Sequence, residues 1–522
     1  MPHWAGARDP ERAWLLHGSG VLLELILNGH APAAIVVCAR EEILTLGALV
    51  AELVFERSIP VLQVERDVFA RLGEFRYASV GQHCLRLFDA PPLGQHQPAA
   101  TLPAVDDGTA VRLDAVDRDL LSGKHGQAAQ LAMRLLLRMA ALQDAEGFVD
   151  VSQVHIDGCI YTGPATLRFA QWLVEREARV RVPTTLNAIS VDKRRWRTQG
   201  VAEDLGVPAS ALADAYLAMG AEPTFTCAPY LLESAPGFGE QIGWAESNAV
   251  VYANSVIGAR TMKYPDYLDI CIALTGRAPL AGCHLDSGRR ATLVLEVEMP
   301  VAIDDAFWPL LGYCCGSVCG SEIPLIRGLE TSAAGSDELK AFGAAFATMA
   351  AAPMFHIAGV TPEAAAQGPA RELRISLADQ RRAWLELNTA RSPEVGLVAL
   401  GNPHFSANEC AQLAALVRGR IKSPDVAVVV TCGRAVQQAA AQAGHIEELE
   451  AFGIQIVTDT CWCMLGEPVI PTDAQTLMTN SGKYAHYAPG LVGRAVRFGN
   501  LAACVEAACS GKSLGDLPAW LL

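Results

Sequence analysis

The chain has no two cysteines at the C-x-x-C spacing, so the usual zinc-ribbon and thiol-oxidoreductase motifs are absent. Its 15 cysteines are odd in number and follow no repeating framework, which argues against a disulfide-stapled scaffold. The opening MPHWAGARDPERAW lacks the basic-then-apolar pattern of an export signal. Long apolar runs are missing as well: Val21-Leu22-Leu23 meets Glu24 at once, too short to span a bilayer. Positive charge is scarce, with 41 basic against 56 acidic residues and a net charge of −15. A chain of that sign repels phosphate backbones, so nucleic acid is not an expected partner. Thr479-Asn480-Ser481-Gly482-Lys483 resembles a phosphate-binding tip but lacks the full Gly-x-x-x-x-Gly-Lys-Ser/Thr pattern, which excludes a nucleotide P-loop. Heptads and internal repeats are absent. These absences point to a cytoplasmic protein, monomer or homo-oligomer, with a small-molecule partner and no membrane.

What is present is apolar material: 51% hydrophobic against 19% charged residues, enough for a large interior. At 522 residues the chain exceeds one ordinary core, so two or more domains are expected. Helical spacing over Val21–Asn28 stops at Gly29, and a strand follows at 33–37. A second helix is expected at 41–56 and a second strand at 59–64. The Pro-rich polar run from Asp89 to about Gly108 is the best linker. Beyond it a long helix, broken near Gly123, is expected over 116–143. Another helix starts at Pro164 and a strand runs over 179–183. Later strands at 396–400, 425–430 and 454–457 each end in a polar tip, with helices at 435–443 and 445–452. Strand, tip and helix in alternation predict an α/β chain with a mostly parallel sheet.

The chemistry gathers at such tips. Thr458-Asp459-Thr460-Cys461-Trp462-Cys463 follows an apolar strand, where open α/β sheets carry their sites. Phe225-Thr226-Cys227-Ala228-Pro229-Tyr230 offers another thiol in a turn-prone setting, and Cys504 a third near the C-terminus. Distant single cysteines can converge on one iron centre; the competing reading is inert buried thiols. If Cys461 and Cys463 lie on a strand both point to one face, unless one simply packs. Cys314, Cys315 and Cys319 lie in an apolar run and read as packing. His155 and Asp157 share a side of an extended segment, suited to proton work or ligation, or to a structural pair at a strand end. Glu246-Ser247-Asn248, Asn254-Ser255 and Arg260-Thr261 suit a pocket for a carboxylate or hydroxyl, with Arg260 as an anion fork; the alternative is a network holding a loop. Ser19 precedes the first apolar helix, where it caps the helix or holds negative charge.

Together these motifs resemble the aconitase X family of the aconitase superfamily. Gly18-Ser19-Gly20-Val21-Leu22-Leu23-Glu24-Leu25, Asn28-Gly29 and Ala31-Pro32-Ala33-Ala34 resemble its small swivelling domain. His155-Ile156-Asp157-Gly158-Cys159, Pro183-Thr184-Thr185-Leu186-Asn187, Thr226-Cys227-Ala228-Pro229-Tyr230 and Gly239-Glu240-Gln241 resemble the larger one. So do Trp244 to Ala249, Asn254 to Thr261, Thr458-Asp459-Thr460-Cys461 and Asn480-Ser481-Gly482-Lys483-Tyr484. The resemblance implies an aconitase-like α/β fold: a small swivel domain over 1–90, a linker over 91–112 and a multi-subdomain catalytic region over 113–522. Relatives carry a longer glycine- and serine-rich segment where this chain has Arg12–His17, so the small domain is expected to be N-terminally truncated.

The single-chain arrangement resembles the bacterial cis-3-hydroxy-L-proline dehydratases. That implies an iron–sulfur cluster of the [2Fe–2S] type on Cys227, Cys461 and Cys504, with Ser19 as catalytic base. His155, Asp157, Thr184, Thr185, Glu246, Ser247, Asn248, Arg260 and Lys483 are the implied substrate-binding set. The implied reaction is an anti elimination of water across C2–C3, giving Δ1-pyrroline-2-carboxylate. Two alternatives stay open: a dehydratase of another hydroxy acid such as mevalonate 5-phosphate, and a catalytically impaired homologue.

Overall fold

The structure is a computed structural model, and it describes residues 18–80, 85–90, 111–364 and 371–522. The Arg12–His17 segment and all but the last two residues of the expected linker lie outside the described residues.

The N-terminal unit pairs helix Gly18–Leu27 with helix Ile43–Phe55, beside a parallel two-stranded sheet, Ile35–Val37 with Val61–Gln63. The two helices touch backbone to backbone. A methyl group on Gly47 would lie 2.6 Å from the Ser19 carbonyl oxygen, so only glycine permits this approach. The apolar sides of both helices join one core with helix Gln127–Leu142 and helix Leu268–Thr275. As expected, the helical run after residue 111 breaks at Gly123, into Ala115–Leu121 and Gln127–Leu142. A capping box of Asp114 and Asp117 starts the first piece.

Three parallel sheets follow. The first orders Thr184–Leu186, Val154–Ile156 and Gly243–Trp244. The strand expected at 179–183 instead begins at Thr184, after Pro183. Proline lacks the N–H a ladder needs and tolerates only the strand's entrance. The second sheet orders His356–Ile357, Pro324–Arg327, Leu293–Val297 and Arg371–Ile375.

The third sheet positions the site. Its order is Ile454–Val457, Ala427–Cys432, Leu397–Phe405, Thr476–Thr479 and Ala495–Phe498, all parallel. Every residue of Leu397–Phe405 is buried, as in a strand covered on both faces. Leu397, Ala399, Val429 and Val457 face one core. Val398, Leu400, Val428, Val430 and Ile456 face the other, which is the two-residue alternation of a strand. Chain order runs outward from Leu397–Phe405 in one direction, then reverses at Thr476–Thr479. The crevice beyond the carboxyl ends of those two strands is therefore a topological switch point, where such sheets bind ligands.

Candidate active site

Asn402 and His404 stand at the end of one switch-point strand, and Ser481 and Lys483 just beyond the other. Ser481 caps helix Gly482–Val492 by accepting from the Tyr484 N–H, and its own hydroxyl donates to the Asn402 carbonyl. The two tips are thus tied together. Lys483 occupies the first turn of that helix, where the dipole disfavours a cation. It is buried, and its Nζ donates to Glu246 Oε1 at 2.9 Å. Burial opposes the lysine's charge most strongly, yet Glu246 and the thiols of Cys463, Cys227 and Cys461 outweigh it and hold the pKa well above the ordinary value. Glu246 is likewise buried, and Lys483 with the Asn248 amide outweighs that burial and lowers its pKa.

Around this pair the first sheet supplies a polar chain. Asn248 Nδ2 donates to Glu246 Oε1 at 2.6 Å and to the Cys227 carbonyl at 3.0 Å. Asn187 Nδ2 reaches Glu246 Oε2 at 3.5 Å and also donates to Asp157 Oδ1. The N–H groups of Asp157 and Gly158 donate to Asp269 Oδ2 at 2.7 and 2.9 Å. His155 shares a 2.8 Å hydrogen bond between Nδ1 and Thr185 Oγ1. Burial pushes that imidazole down to about 3, with Glu246 and the Thr226 main chain offsetting only part, so it is neutral at pH 7.

The sulfurs sit against the same charges. Cys227, Cys461 and partly buried Cys463 form one cluster with Ala188 and Met464. Strand Ile454–Val457 ends before the thiols. They lie instead on a turn in which the Met464 and Leu465 N–H groups donate to the Cys461 carbonyl, at 2.9 and 3.1 Å. So it is a turn, and not the strand alternation considered from sequence, that places both sulfurs together. A hydrogen bond from Cys461, aided by Lys483 and Asn402 against burial, pushes the Cys463 thiol down to about 6. Asn402 Nδ2 donates to Cys463 Sγ at 3.5 Å, and the His404 N–H to Cys227 Sγ at 3.3 Å. Burial and Glu246 push Cys227 up to about 12, with Lys483 acting against them.

His404 is locked by its surroundings. Its Nε2 meets the Thr460 carbonyl at 2.8 Å and its Nδ1 the Thr226 hydroxyl at 3.1 Å. A neutral ring donating from Nε2 and accepting at Nδ1 satisfies both contacts. Burial also favours that neutral form, lowering the pKa to about 4. The end of strand Ile454–Val457 is pinned from the side by Arg434, whose Nε and Nη2 donate to the Asp459 carboxylate at 2.6 and 2.7 Å.

The other expected residues make different contacts. Cys504 is buried in the core on one face of the third sheet, packed with Val398, Leu400, Leu413 and Val428. It sits on helix Leu501–Ser510, which covers that face, so the structure does not bring it together with Cys227 and Cys461; the third thiol of their cluster is Cys463. Burial also pushes the Cys504 thiol well up. Arg260 does not form the expected anion fork in the site. Its guanidinium pairs with exposed Asp286 and donates to the His284 carbonyl at 3.2 Å. Thr184 turns its hydroxyl to the Val182 carbonyl at 2.8 Å. Ser247 is buried in the first turn of helix Ser247–Tyr252, after Glu246. Ser19, on the N-terminal helix, is buried and donates to the Ile43 carbonyl at 2.7 Å. Sequence reasoning missed Asn187, Asn402 and His404 as site residues. The tip Gly401-Asn402-Pro403-His404 was visible, but the strand order that makes it a switch point was not.

Among the described residues no group of three or more His, Cys, Asp or Glu side chains is spaced to hold a metal ion. The donor chemistry nevertheless fits an iron–sulfur group: three clustered thiols, one biased to thiolate, beside a buried ammonium that stabilises added negative charge. No helix among the described residues is long and apolar enough to cross a membrane.

Comparison with known proteins accounts for most of the chain. Family profiles described as aconitase X first, second and third domains match residues 110–287, 291–385 and 395–510. The aconitase X swivel domain matches residues 16–86. The cis-3-hydroxy-L-proline dehydratase of Pseudomonas aeruginosa is 59% identical, over 97% of this chain and 88% of that protein. The enzyme of the same name from Hypocrea jecorina is 55% identical, over 97% of this chain and 87% of its own length. The phosphomevalonate dehydratase large subunit of Methanothermobacter thermautotrophicus is 34% identical, over 73% of this chain and 95% of that subunit. The holo-form crystal structure of Thermococcus kodakaraensis aconitase X matches with a TM-score of 0.70 at 28% identity, covering 76% of this chain and 100% of that one.

Proposed function

The chain belongs to the aconitase X family, and from that premise we propose that it is a hydro-lyase converting cis-3-hydroxy-L-proline to Δ1-pyrroline-2-carboxylate. The observation that carries this reading is the 59% identity to a dehydratase of that substrate, sustained over 97% of the chain. The arrangement of charges at the switch point supports it. A cluster of the [2Fe–2S] type, held by Cys227, Cys461 and Cys463, would supply a Lewis acid for a departing hydroxyl.

The protein's own groups do the rest. In cis-3-hydroxy-L-proline the C2 proton lies on the ring face opposite the C3 hydroxyl, so a base and an acid on opposite sides give anti elimination. Ser19, as its alkoxide, takes the C2 proton while the C3–O bond breaks with its electron pair on oxygen; the proton that Ser19 then gives up to return to the alkoxide balances the released hydroxide as water. The enamine so formed tautomerises to the pyrroline. Lys483, the cation at the head of helix Gly482–Val492, neutralises charge developing on the substrate. Glu246, anchored by Asn248, Asn187 and Lys483, accepts hydrogen bonds from the ring nitrogen or hydroxyl. Asp157 and His155 hold the floor between them, His155 as a neutral donor or acceptor. We further read the protein as cytoplasmic and acting on this small molecule without nucleic acid or membrane.

Purified, iron-loaded protein is incubated with cis-3-hydroxy-L-proline and, in parallel, with trans-4-hydroxy-L-proline and mevalonate 5-phosphate. Pyrroline formation from the first alone is the expected result; no pyrroline from it sinks the assignment. Iron analysis separates the two ligand sets: Cys463→Ser loses iron, whereas Cys504→Ala retains it.

A further inference from the structure

Tyr267 carries three features that packing does not explain. It is 1% exposed, yet its hydroxyl finds no hydrogen-bond partner among the described residues. Its backbone is left-handed, with φ 78° and ψ −24°, a conformation that a bulky side chain avoids and that clusters at functional sites. The hydroxyl also presses on the N-terminal unit, one residue from Ser19. A methyl group placed on Gly20 would lie 3.1 Å from Tyr267 Oη and 2.8 Å from Thr162 Oγ1. Thr162 Oγ1 is likewise buried and without a partner among the described residues. Two unsatisfied hydroxyls from the large region thus face the serine-bearing turn, where burial without a hydrogen bond is unfavourable.

The rest of the contact is well satisfied, so the two hydroxyls do not reflect poor packing. Glu24, one turn along the same helix, accepts from the Ala165 N–H at 2.6 Å and so caps helix Pro164–Val174. The Tyr267 ring packs edge-on against Phe169, with centroids 4.7 Å apart. The next helix, Leu268–Thr275, carries Asp269, which binds the Asp157 and Gly158 N–H groups. Tyr267 therefore stands between the serine-bearing turn and the substrate floor.

A serine acting as base creates a demand that these hydroxyls meet. Ser19 now donates its proton to the Ile43 carbonyl at 2.7 Å. A deprotonated serine oxygen has no proton to give, and two acceptors at that distance repel. The oxygen must then leave Ile43, by a step between staggered rotamers, and it needs donors in a space shielded from water. The unpartnered hydroxyls of Tyr267 and Thr162, packed against neighbouring Gly20, are such donors. Burial and the carboxylates of Asp266, Glu24 and Asp269 hold the Tyr267 phenol well above its ordinary pKa, which keeps the proton on the phenol.

We propose that Tyr267, assisted by Thr162, is a positioning residue for Ser19, its hydroxyl donating a hydrogen bond to the serine oxygen in the state that accepts the C2 proton. The inference rests on the reading of Ser19 as the base. No proton passes through Tyr267; it lowers the serine's pKa and fixes its direction.

The test is Tyr267→Phe in full-length, iron-loaded enzyme, with Ser19→Ala alongside. The expected result is a fall in kcat of roughly 100-fold, the scale for losing one donor to a developing anion, with KM nearly unchanged. Deuterium at substrate C2 should slow the variant more than the parent, and the rising limb of the kcat–pH profile should move to higher pH. A merely structural tyrosine would move neither the isotope effect nor the limb. An unchanged isotope effect and pH limb in Tyr267→Phe, with Ser19→Ala inactive, overturns this proposal and spares the serine reading. Full activity in Ser19→Ala overturns both. If Tyr267→Phe does not fold, 3-fluorotyrosine at position 267 decides, because a more acidic phenol is the stronger donor. The limb then moves to lower pH, and an unmoved limb overturns the proposal.

Discussion

Replacing Lys483 by methionine should make the protein less stable at neutral pH than in mild acid. Both members of the Glu246–Lys483 pair are enclosed, with side chains 6% and 8% exposed and 2.9 Å between Nζ and Oε1. Removing the ammonium strands a carboxylate among thiols, and breaking a buried pair of this kind costs about 3–5 kcal/mol. Glu246 belongs to the first-domain match, residues 110–287, a size at which each kcal/mol moves Tm by about 2–4 °C. The expected drop at pH 7 is therefore roughly 6–20 °C. The pH dependence fixes the cause. In the parent, burial acts most strongly against Glu246's charge, but Lys483 and Asn248 outweigh it and lower its pKa. The stability this gives is present above the unfolded value of about 4.3 and is lost as pH falls through the folded one. Without Lys483, burial prevails and Glu246's pKa rises. Its penalty is then absent below pH about 4.3 and grows as pH increases toward the new folded value. Differential scanning calorimetry from pH 8 down to below about 4.3 reads both effects, the variant's penalty above that value and the parent's loss beneath it, and Glu246→Gln on top of Lys483→Met should recover most of the loss. A drop under about 2 °C, against the 3–5 kcal/mol expected for a buried pair, would refute the reasoning, as would a double variant no more stable than the single.

Other expectations follow from particular contacts. Gly47→Ala forces a methyl into the Ser19 carbonyl, 2.6 Å away; the helices must part, at a cost of about 1–3 kcal/mol, and both Tm and dehydration rate should fall. Burial pushes Asp269 up to about 7 against the hydrogen bonds from Gly158, Ile270 and Asp157. The native state therefore holds a proton that the unfolded chain releases near pH 3.9, so stability present below about pH 3.9 is lost as pH rises to 7. The slope is at most about 1.4 kcal/mol per pH unit, and in thermal melts Asp269→Asn should remove it. Cys504→Ala trades a buried thiol for a small cavity and should lower Tm by a few degrees without changing the iron content, whereas Cys227→Ser and Cys461→Ser should abolish iron binding.

The helices were legible because their signals are local. The apolar spacing before Gly29, the break at Gly123 and Pro164 at a helix start are each visible within a few residues, and the structure has all three. The parallel α/β character was legible for the same reason, since each strand announces its own polar tip. Which tips meet was not legible, because strand order is a property of the whole chain. Nothing near Leu397 reveals that its hydrogen-bonded neighbour is Leu477, and only that pairing makes Asn402 and Lys483 the two sides of one crevice. Cys504 went astray for a related reason. A thiol on a helix covering one face of a sheet and a thiol beyond a strand's end look alike in sequence, but in the fold they belong to separate clusters. The even–odd alternation along Val398–Leu400, which turns Val398 and Leu400 to the face that Cys504 covers, could have raised that doubt from sequence, had the helix been assigned to a face. Cys463 was the converse case. A strand's period of two gives a C-x-C pair one shared face, whereas here the chain has already left the strand, and the turn closed on the Cys461 carbonyl does the gathering. Arg260 shows the limit of composition as a guide. An arginine among small polar residues reads as an anion fork only while its partners are unknown, and Asp286, 26 residues on, had already claimed it. The residues most distant from local rules are Lys483, buried at the positive end of a helix, and Tyr267, in a left-handed turn with an unsatisfied hydroxyl. Departures of that kind are retained where the chemistry needs them.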